Sequence, residues 1–377
     1  MVCTHIYRRG YKKNGGITIE TFWKDKKVLI TGHTGFKGSW LTLWLKDLGA
    51  EVIGYSLEPE SFISLYNLLS IDREIESLIA DIRDIQTLYK FIQKHKPDII
   101  FHMASQPLVH HSYKDPLNTF SVNVMGTVNL LECIKKVESV RAFINVTTDK
   151  VYEDKNTFNG YKENDKLGGK DPYSSSKTCS EFITNSYLHS FFPSHKYKEH
   201  GKSIATARSG NVIGGGDWSV GRLIPDCVKS LELGKEVVIR NPNSIRPWQH
   251  VLDSLKGYIL LAEHLYKHGS IFNGAWNFGP SDNDIHSVQR MAEYICSNWE
   301  GEYSLVINRD SLIQETEVLM LDSSKSRELL GWNPRWLAEE SIKKVIKWHK
   351  GYLDGLSASE LCRNQIKEFE KEGLVWK

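Results

Sequence analysis

The stretch KKVLITGHTGFKGSW, residues 26–40, reads as a buried strand, a glycine-rich turn and the start of a helix. Val28, Leu29 and Ile30 form a short apolar, partly β-branched run; Gly32, Gly35 and Gly38 follow at a Gly-x-x-Gly-x-x-Gly spacing. Gly32 allows a tight turn, Gly35 lets the backbone approach a pyrophosphate, and Gly38 lets the new helix pack against its strand. The helix then points its free amides and positive dipole end at the phosphates. A strand-to-helix turn that needs glycine only for its shape would look the same over these residues, so the readable strand before it and helix after it carry the weight.

Working outward, Glu51–Leu57, Ser77–Ile82, Asp98–Ser105 and Arg141–Thr148 read as further strands, with helical signal over Asp84–Lys96 and Asn118–Val137. This alternation predicts an α/β fold, a doubly wound parallel sheet with helices on both faces and ligands at the carboxyl ends of its strands. Those ends bring together the glycine turn, Asp81-Ile82-Arg83, Ala104-Ser105-Gln106 and Thr147-Thr148-Asp149-Lys150. An acidic residue about 20 positions after the glycines normally holds the adenosine ribose and favours NAD over NADP. Ser56 occupies that strand end here and Glu58 lies just beyond it.

The 377 residues have a net charge of +2, which gives no electrostatic case for nucleic acid or a membrane surface as partner. Six scattered cysteines form no Cys-x-x-Cys pair, which supports neither a disulfide framework nor a zinc site and fits a reducing cytoplasm. The expected organisation is an N-terminal extension over 1–23, a dinucleotide-binding domain over 24–216, a smaller substrate lobe over 217–352 and a tail over 353–377. Helices are expected near Arg222–Leu233, Val251–His268, Val288–Trp299, Ser324–Leu330 and Ala338–Tyr352, and some segments of the lobe are open to returning to the main sheet.

Tyr173 opens a helix after Asp171-Pro172, and Lys177 follows four residues later on the same helical face. An unperturbed phenol titrates near pH 10, too high for a base near neutrality, so an adjacent ammonium is what such chemistry needs. Of 16 tyrosines only Tyr173 has lysine at that spacing.

Thr-Gly-x-x-Gly-Phe-x-Gly, Tyr173-x-x-x-Lys177 and a hydroxyl at the end of the fifth strand together resemble the extended short-chain dehydrogenase/reductase family. More narrowly, Thr148-Asp149-Lys150, Asp171-Pro172-Tyr173-Ser174, the run Gly210–Trp218 and the run Ile245–Val251 resemble the sugar-nucleotide 4,6-dehydratases of the CDP-glucose branch, over about residues 24 to 350. The resemblance implies NAD as cofactor and CDP-glucose as substrate. It implies that Tyr173 takes the 4-hydroxyl proton while hydride leaves C4, that Lys177 lowers the phenol's pKa and holds the nicotinamide ribose, and that Thr148 bonds the 4-oxygen. Asp149 would protonate the departing 6-hydroxyl, Lys150 would act at C5 as base or as enolate clamp, and hydride would return to C6. Lysine at 150 separates this branch from dTDP-glucose and GDP-mannose relatives, which carry glutamate there.

By the same resemblance the cofactor contacts are Gly32, Gly35, Phe36, Gly38, Asp81, Ile82, Ala104, Ser105 and Asn123, besides Tyr173 and Lys177. The substrate contacts are Gln106, Asn211, Arg222, Arg246 and His250, where an arginine fork suits phosphate oxygens; a domain-closing ion pair stays open for Arg246. No metal pattern surrounds His110 and His111. A homo-oligomer, dimer or tetramer, is implied through helices near 118–137 and 173–192. Other readings remain: a dehydratase or epimerase for a dTDP-, GDP- or UDP-sugar, or a non-catalytic NAD-binding sensor.

Overall fold

The computed structural model describes residues 22–308 and 316–372. Strands β1 (Lys27–Thr31), β2 (Glu51–Ser56), β3 (Glu76–Ile79), β4 (Ile99–His102) and β5 (Ala142–Val146) fall on the five expected runs. β3 stops before Ile82, which leaves Asp81 and Ile82 on the loop at its carboxyl end. Then come β6 (Ser203–Ser209), β7 (Asn211–Ile213), β8 (Val237–Ile239), β9 (Ile245–Arg246), β10 (Trp248–His250), β11 (Gly274–Phe278), β12 (His286–Ser287) and β13 (Leu305–Ile307).

Seven strands pair in the order β11-β6-β5-β4-β1-β2-β3, all in parallel. The winding reverses between β1 and β4, and a crevice opens at such a point beyond the strand ends. Alternation along each strand serves two cores. Val28, Ile30, Ile99, Phe101, Ala142 and Ile144 face a layer that includes the helices Phe36–Asp47 and Val251–His268. Leu29, Ile100, Phe143 and Ile204 face the other layer, with Ile92, Leu131 and Leu188. Burial on both faces is why these strands read as continuous apolar runs.

After residue 217 the chain builds both layers and a lobe. The helix Val251–His268 and strand β11 return to the main sheet. The pairs β10–β7, β12–β9 and β13–β8 form three small sheets, and Ile224, Val237, Trp248, Met291 and Ile342 belong to a separate core. The helical segment expected over Asn118–Val137 runs as Pro116–Phe120, a π turn at Ser121–Met125, and Gly126–Lys136.

The expected extension lies outside the described residues except for Phe22 and Trp23, which are 8% and 0% exposed and stack edge-on in the core. The C-terminal segment read as a tail contains a helix, Ala358–Glu372, whose Leu361, Cys362, Ile366 and Phe369 are buried. Phe369 packs against Trp44 and Trp336. Burying such aromatic and aliphatic side chains stabilises the fold by roughly 1.5–3 kcal/mol each.

Burial also makes the fold acid-sensitive. It pushes the imidazoles of His33, His102 and His250 down to about 4, 3 and 3. In the unfolded chain they titrate near 6.5. Between those values the unfolded state binds more protons, so stability present above pH 6.5 drains away as pH falls. Burial pushes the Asp253 carboxyl up to about 7 and raises Asp149, and both oppose the trend by taking up protons in the folded state. His264 is lowered to about 4 in the same way, and these four imidazoles outweigh Asp253, Asp149, Glu163 and Asp226, the carboxyls that burial raises, to leave a net loss. The denaturant midpoint is expected to fall steadily from pH 7 to pH 5; a midpoint that rises over that range contradicts the burial of these histidines.

Candidate active site

The glycine turn is over-determined by its neighbours. Gly32 sits at φ +78°, and a Cβ there would stand 2.6 Å from the Ala104 nitrogen. A Cβ on Gly38 would stand 2.2 Å from the Gly32 oxygen, whereas at Gly35 the nearest atom is 3.4 Å away. Gly35 is the N-cap of the Phe36–Asp47 helix and supplies no side-chain cap, so nothing there covers the first-turn amides. A bare backbone cradle at a helix N-terminus beside a switch point fits a dinucleotide pyrophosphate. Phe36 reaches the segment just after β7, its ring tip 3.0 Å from where a Gly214 Cβ would lie.

Around this cradle the expected cofactor residues gather at the strand ends. Thr34 Oγ1 donates to the Leu57 carbonyl (2.9 Å), so the Ser56 hydroxyl donates to Thr34 (2.8 Å). A hydroxyl pair thus stands at the end of β2, and Glu58 is exposed beyond it. Asp81 binds Arg83 and is held below the usual carboxylate range chiefly by that guanidinium. Ile82 is buried where a Cβ on Gly126 would meet it at 2.7 Å. Ser105 follows Ala104 on the loop after β4. Asn123, buried on the π turn, accepts from the Gln106 amide (2.8 Å) and donates to the Gln106 carbonyl (3.1 Å) and to Ser176 Oγ (2.8 Å). It ties the loop after β4 to the helix that bears Tyr173.

That helix, Pro172–Ser190, starts where the sequence places it, with Pro172 in its first turn and Asp171 accepting from the Ser174 amide at 2.9 Å. β5 delivers Thr148, the N-cap of a 3-10 turn over Asp149–Val151. Thr148 Oγ1 donates to Asp149 Oδ1 (2.9 Å) and is hydrogen-bonded to the Tyr173 phenol. Asp149 Oδ2 is buried without a partner among the described residues. Burial raises the Asp149 carboxyl above its ordinary range against the pull of Lys150, Thr148, Arg246 and Lys37. It is therefore a group that keeps its proton more readily than an exposed aspartate.

Lys177 Nζ donates to the Val146 carbonyl at 3.2 Å, and burial lowers it to about 8. The expected depression of the Tyr173 phenol is not what its surroundings give. Burial pushes it up to about 12, opposed by Thr148 and Arg222. Desolvation of the phenolate outweighs the pull of Thr148 and Arg222.

The substrate set divides. Arg222 pairs with Asp217 (2.9 Å) and its charge acts on Tyr173. Arg246 is 3% exposed and donates to the Ile245 carbonyl (2.8 Å), and its charge acts on Asp149. Asn211 opens β7, its amide donating to the Pro247 carbonyl. Gln106 spends its side chain locally, on Thr119 Oγ1 (2.9 Å) and the Leu108 amide (2.6 Å). His250 is 0% exposed, packs edge-on to Trp40 and Trp336, and caps the Val251–His268 helix through the Leu252 amide. Its Nε2 is buried without a partner among the described residues.

Two features escaped the sequence reading. Lys37, inside the glycine motif, donates to Ser209 Oγ (3.1 Å) and is lowered to about 7, first by burial and then by Arg222 and Lys177. Glu181 and Arg208 form a buried pair beneath Thr147. The signal for Glu181 was its position four residues after Lys177, the same spacing that singled out Tyr173.

The family model for GDP-mannose 4,6 dehydratase matches residues 29–345. The chain is 45% identical over 350 residues to a CDP-glucose 4,6-dehydratase of Salmonella typhimurium, covering 93% of this chain and 98% of that one. Among solved structures it resembles a dTDP-glucose 4,6-dehydratase from Streptomyces venezuelae, determined with NAD and TYD bound (TM-score 0.72, 22% identity, 86% and 97% covered). It also resembles a UDP-glucose-4-epimerase from Stenotrophomonas maltophila, determined with NAD and formylated UDP-arabinopyranose (TM-score 0.76, 21% identity, 88% and 100% covered). At those identities the structural likeness is one of fold.

Proposed function

The chain belongs to the GDP-mannose 4,6 dehydratase family of sugar-nucleotide hydro-lyases, and we propose that it converts CDP-glucose to CDP-4-keto-6-deoxyglucose and water. The observation that carries this is the juxtaposition of Tyr173, Thr148 and a buried, proton-retaining Asp149 with lysine at 150. An epimerase needs the tyrosine but has no use for an acid beside it, and a sensor needs neither.

The glycine cradle, Asp81, Ile82, Ala104, Ser105, Asn123 and Lys177 are the residues to hold NAD. When bound, NAD supplies the two-electron oxidation at C4, its return at C6 and a positive charge within the site. Tyr173 receives the 4-hydroxyl proton as C4 becomes a ketone, with Thr148 hydrogen-bonded to the 4-oxygen. The ketone acidifies the C5 proton, and Lys150 acts at C5, as base or as electrostatic clamp on the enolate. Asp149 donates its proton to the 6-hydroxyl, which departs as water. Arg222 and Arg246 suit the diphosphate. The product has lost one water and shows no net redox change.

The setting that fits is the cytoplasm, where nucleotide sugars are built for deoxysugar and lipopolysaccharide O-antigen synthesis; among the described residues no helix is long and apolar enough to cross a membrane. Homo-oligomerisation, to a dimer or tetramer, is supported by apolar side chains exposed on the 116–136 and 172–191 segments, Leu117 at 81% and Phe182 at 54% among them. Sedimentation of Phe182→Glu as a monomer supports that face as the interface; an unchanged mass removes it.

Purified chain with NAD+ is to be offered CDP-glucose, dTDP-glucose, UDP-glucose and GDP-mannose separately, and the products weighed. Water loss from CDP-glucose is expected. Water loss only from another sugar nucleotide discards the argument from Lys150, and loss from none discards the dehydratase reading.

A further inference from the structure

The buried charges beneath the strand ends are more elaborate than packing requires. Glu181 is 4% exposed, yet its carboxylate accepts four hydrogen bonds: from Thr147 Oγ1 (2.5 Å), Thr206 Oγ1 (2.7 Å), Arg208 Nε (2.9 Å) and Arg208 Nη2 (2.9 Å). Burial works to raise the carboxyl, and Arg208 with the two hydroxyls outweighs it and holds the group ionised. Arg208 also donates to Tyr152 Oη (2.8 Å), which donates to Asn277 Oδ1 (2.6 Å) on β11. Tyr152 lies two residues after Lys150, and Thr147 lies one before Thr148. The network therefore grips the Thr148–Lys150 turn at both ends. On its own helix Glu181 stands one turn beyond Lys177.

We infer that Glu181 is a positioning residue of this site, its carboxylate anchoring the strand end before Thr148 from a place one helical turn beyond Lys177. The charged and titratable groups facing Lys177 come from three elements. Tyr173 and Glu181 share its helix, Lys37 approaches from the Phe36–Asp47 helix, and His102 from β4. His102 is neutral and Lys37, with Arg222 behind it, opposes a charge on Lys177. Glu181 is the anion that favours it. A buried pair is in general poor evidence of stabilisation, because the desolvation of both charges offsets their attraction. A role in the site accounts for its retention directly.

The role at Lys177 is tested without turnover, so that it does not fall with the dehydratase reading on which its purpose rests. The full chain is labelled with 13C-lysine, the Lys177 ε-carbon signal is identified by Lys177→Met, and its titration is followed by NMR. In Glu181→Gln the midpoint is expected about one pH unit below that of the unsubstituted chain, a tenfold loss of the ammonium relative to the amine. In the double variant Glu181→Gln, Arg208→Met, which guards against misfolding of the single one, loss of the Arg208 cation offsets part of the effect, and the midpoint should fall by less. An unmoved midpoint in either folded variant overturns the inference. The anchoring role predicts that Thr147→Val lowers kcat about tenfold with KM unchanged, beside the fall in unfolding midpoint that loss of a hydrogen bond to a buried carboxylate brings; an unaltered kcat overturns that half. A wild-type chain that turns over nothing sinks the dehydratase reading while the titration still decides on Glu181.

Discussion

Tyr173→Phe is expected to lower the rate of water loss from CDP-glucose by about a thousandfold, within the range set by removing a positioned acid–base group. The ring stays in its buried place on the Pro172–Ser190 helix, so the unfolding midpoint should move by no more than a few degrees. What is lost is the hydroxyl that meets Thr148 and that, in the proposed reaction, takes up the 4-hydroxyl proton. On the proposed reaction KM should change little, because there the phenol acts on the reacting oxygen while Arg222 and Arg246 take the diphosphate. Rates from quenched samples, with product weighed by mass spectrometry, read the effect. A variant that keeps more than a tenth of the rate removes Tyr173 from the chemistry.

The second large effect separates binding from folding within one motif. Gly38→Ala would place a Cβ 2.2 Å from the Gly32 oxygen and 2.7 Å from the His33 Cα, both backbone atoms that cannot step aside. The expected cost is about 3 kcal/mol or more of stability, or loss of the folded chain. Gly35→Ala meets only the Gly32 oxygen at 3.4 Å, an ordinary contact, so the fold should survive. Its methyl group would instead stand where a pyrophosphate approaches, and NAD+ affinity is expected to fall at least tenfold. Calorimetric titration with NAD+ beside thermal unfolding checks both. Equal NAD+ affinity in Gly35→Ala would mean that the turn serves the fold alone.

The parts of the fold legible in the sequence were those where one physical signal dominates. β1, β2, β4 and β5 are buried on both faces and so stand out as apolar runs, and the glycines mark the turn after β1. β6 escaped notice because its stretch Ser203–Ser209 is rich in small and polar residues; Thr206 and Arg208 serve the Glu181 network instead of an apolar core. The helix Ala358–Glu372 was hidden by its charges, although Leu361, Cys362, Gln365, Ile366 and Phe369 fall at helical spacing on one face. The π turn around Asn123 has no sequence signature at all.

In the site, Tyr173 and Lys177 were legible because their chemistry demands a fixed spacing on a helix, and Thr148, Asp149 and Lys150 because they end a readable strand. The burial of His250 was not legible. A histidine in a run with Arg246 and Gln249 looks polar in sequence, and only the packing of Trp40 and Trp336 turns it into a core residue. Lys37 was visible but silent, since nothing in a glycine motif tells whether its lysine faces solvent or lies against Ser209 and Tyr258.

The central claim is that one site oxidises C4, expels water across C5 and C6, and returns the same hydrogen to C6. It is tested most directly with CDP-glucose carrying deuterium at C4, incubated with the chain and NAD+ in ordinary water. The account predicts a 4-keto-6-deoxy product that has lost one water and keeps its deuterium in the C6 methyl group. Deuterium still at C4, or product without any, would contradict it.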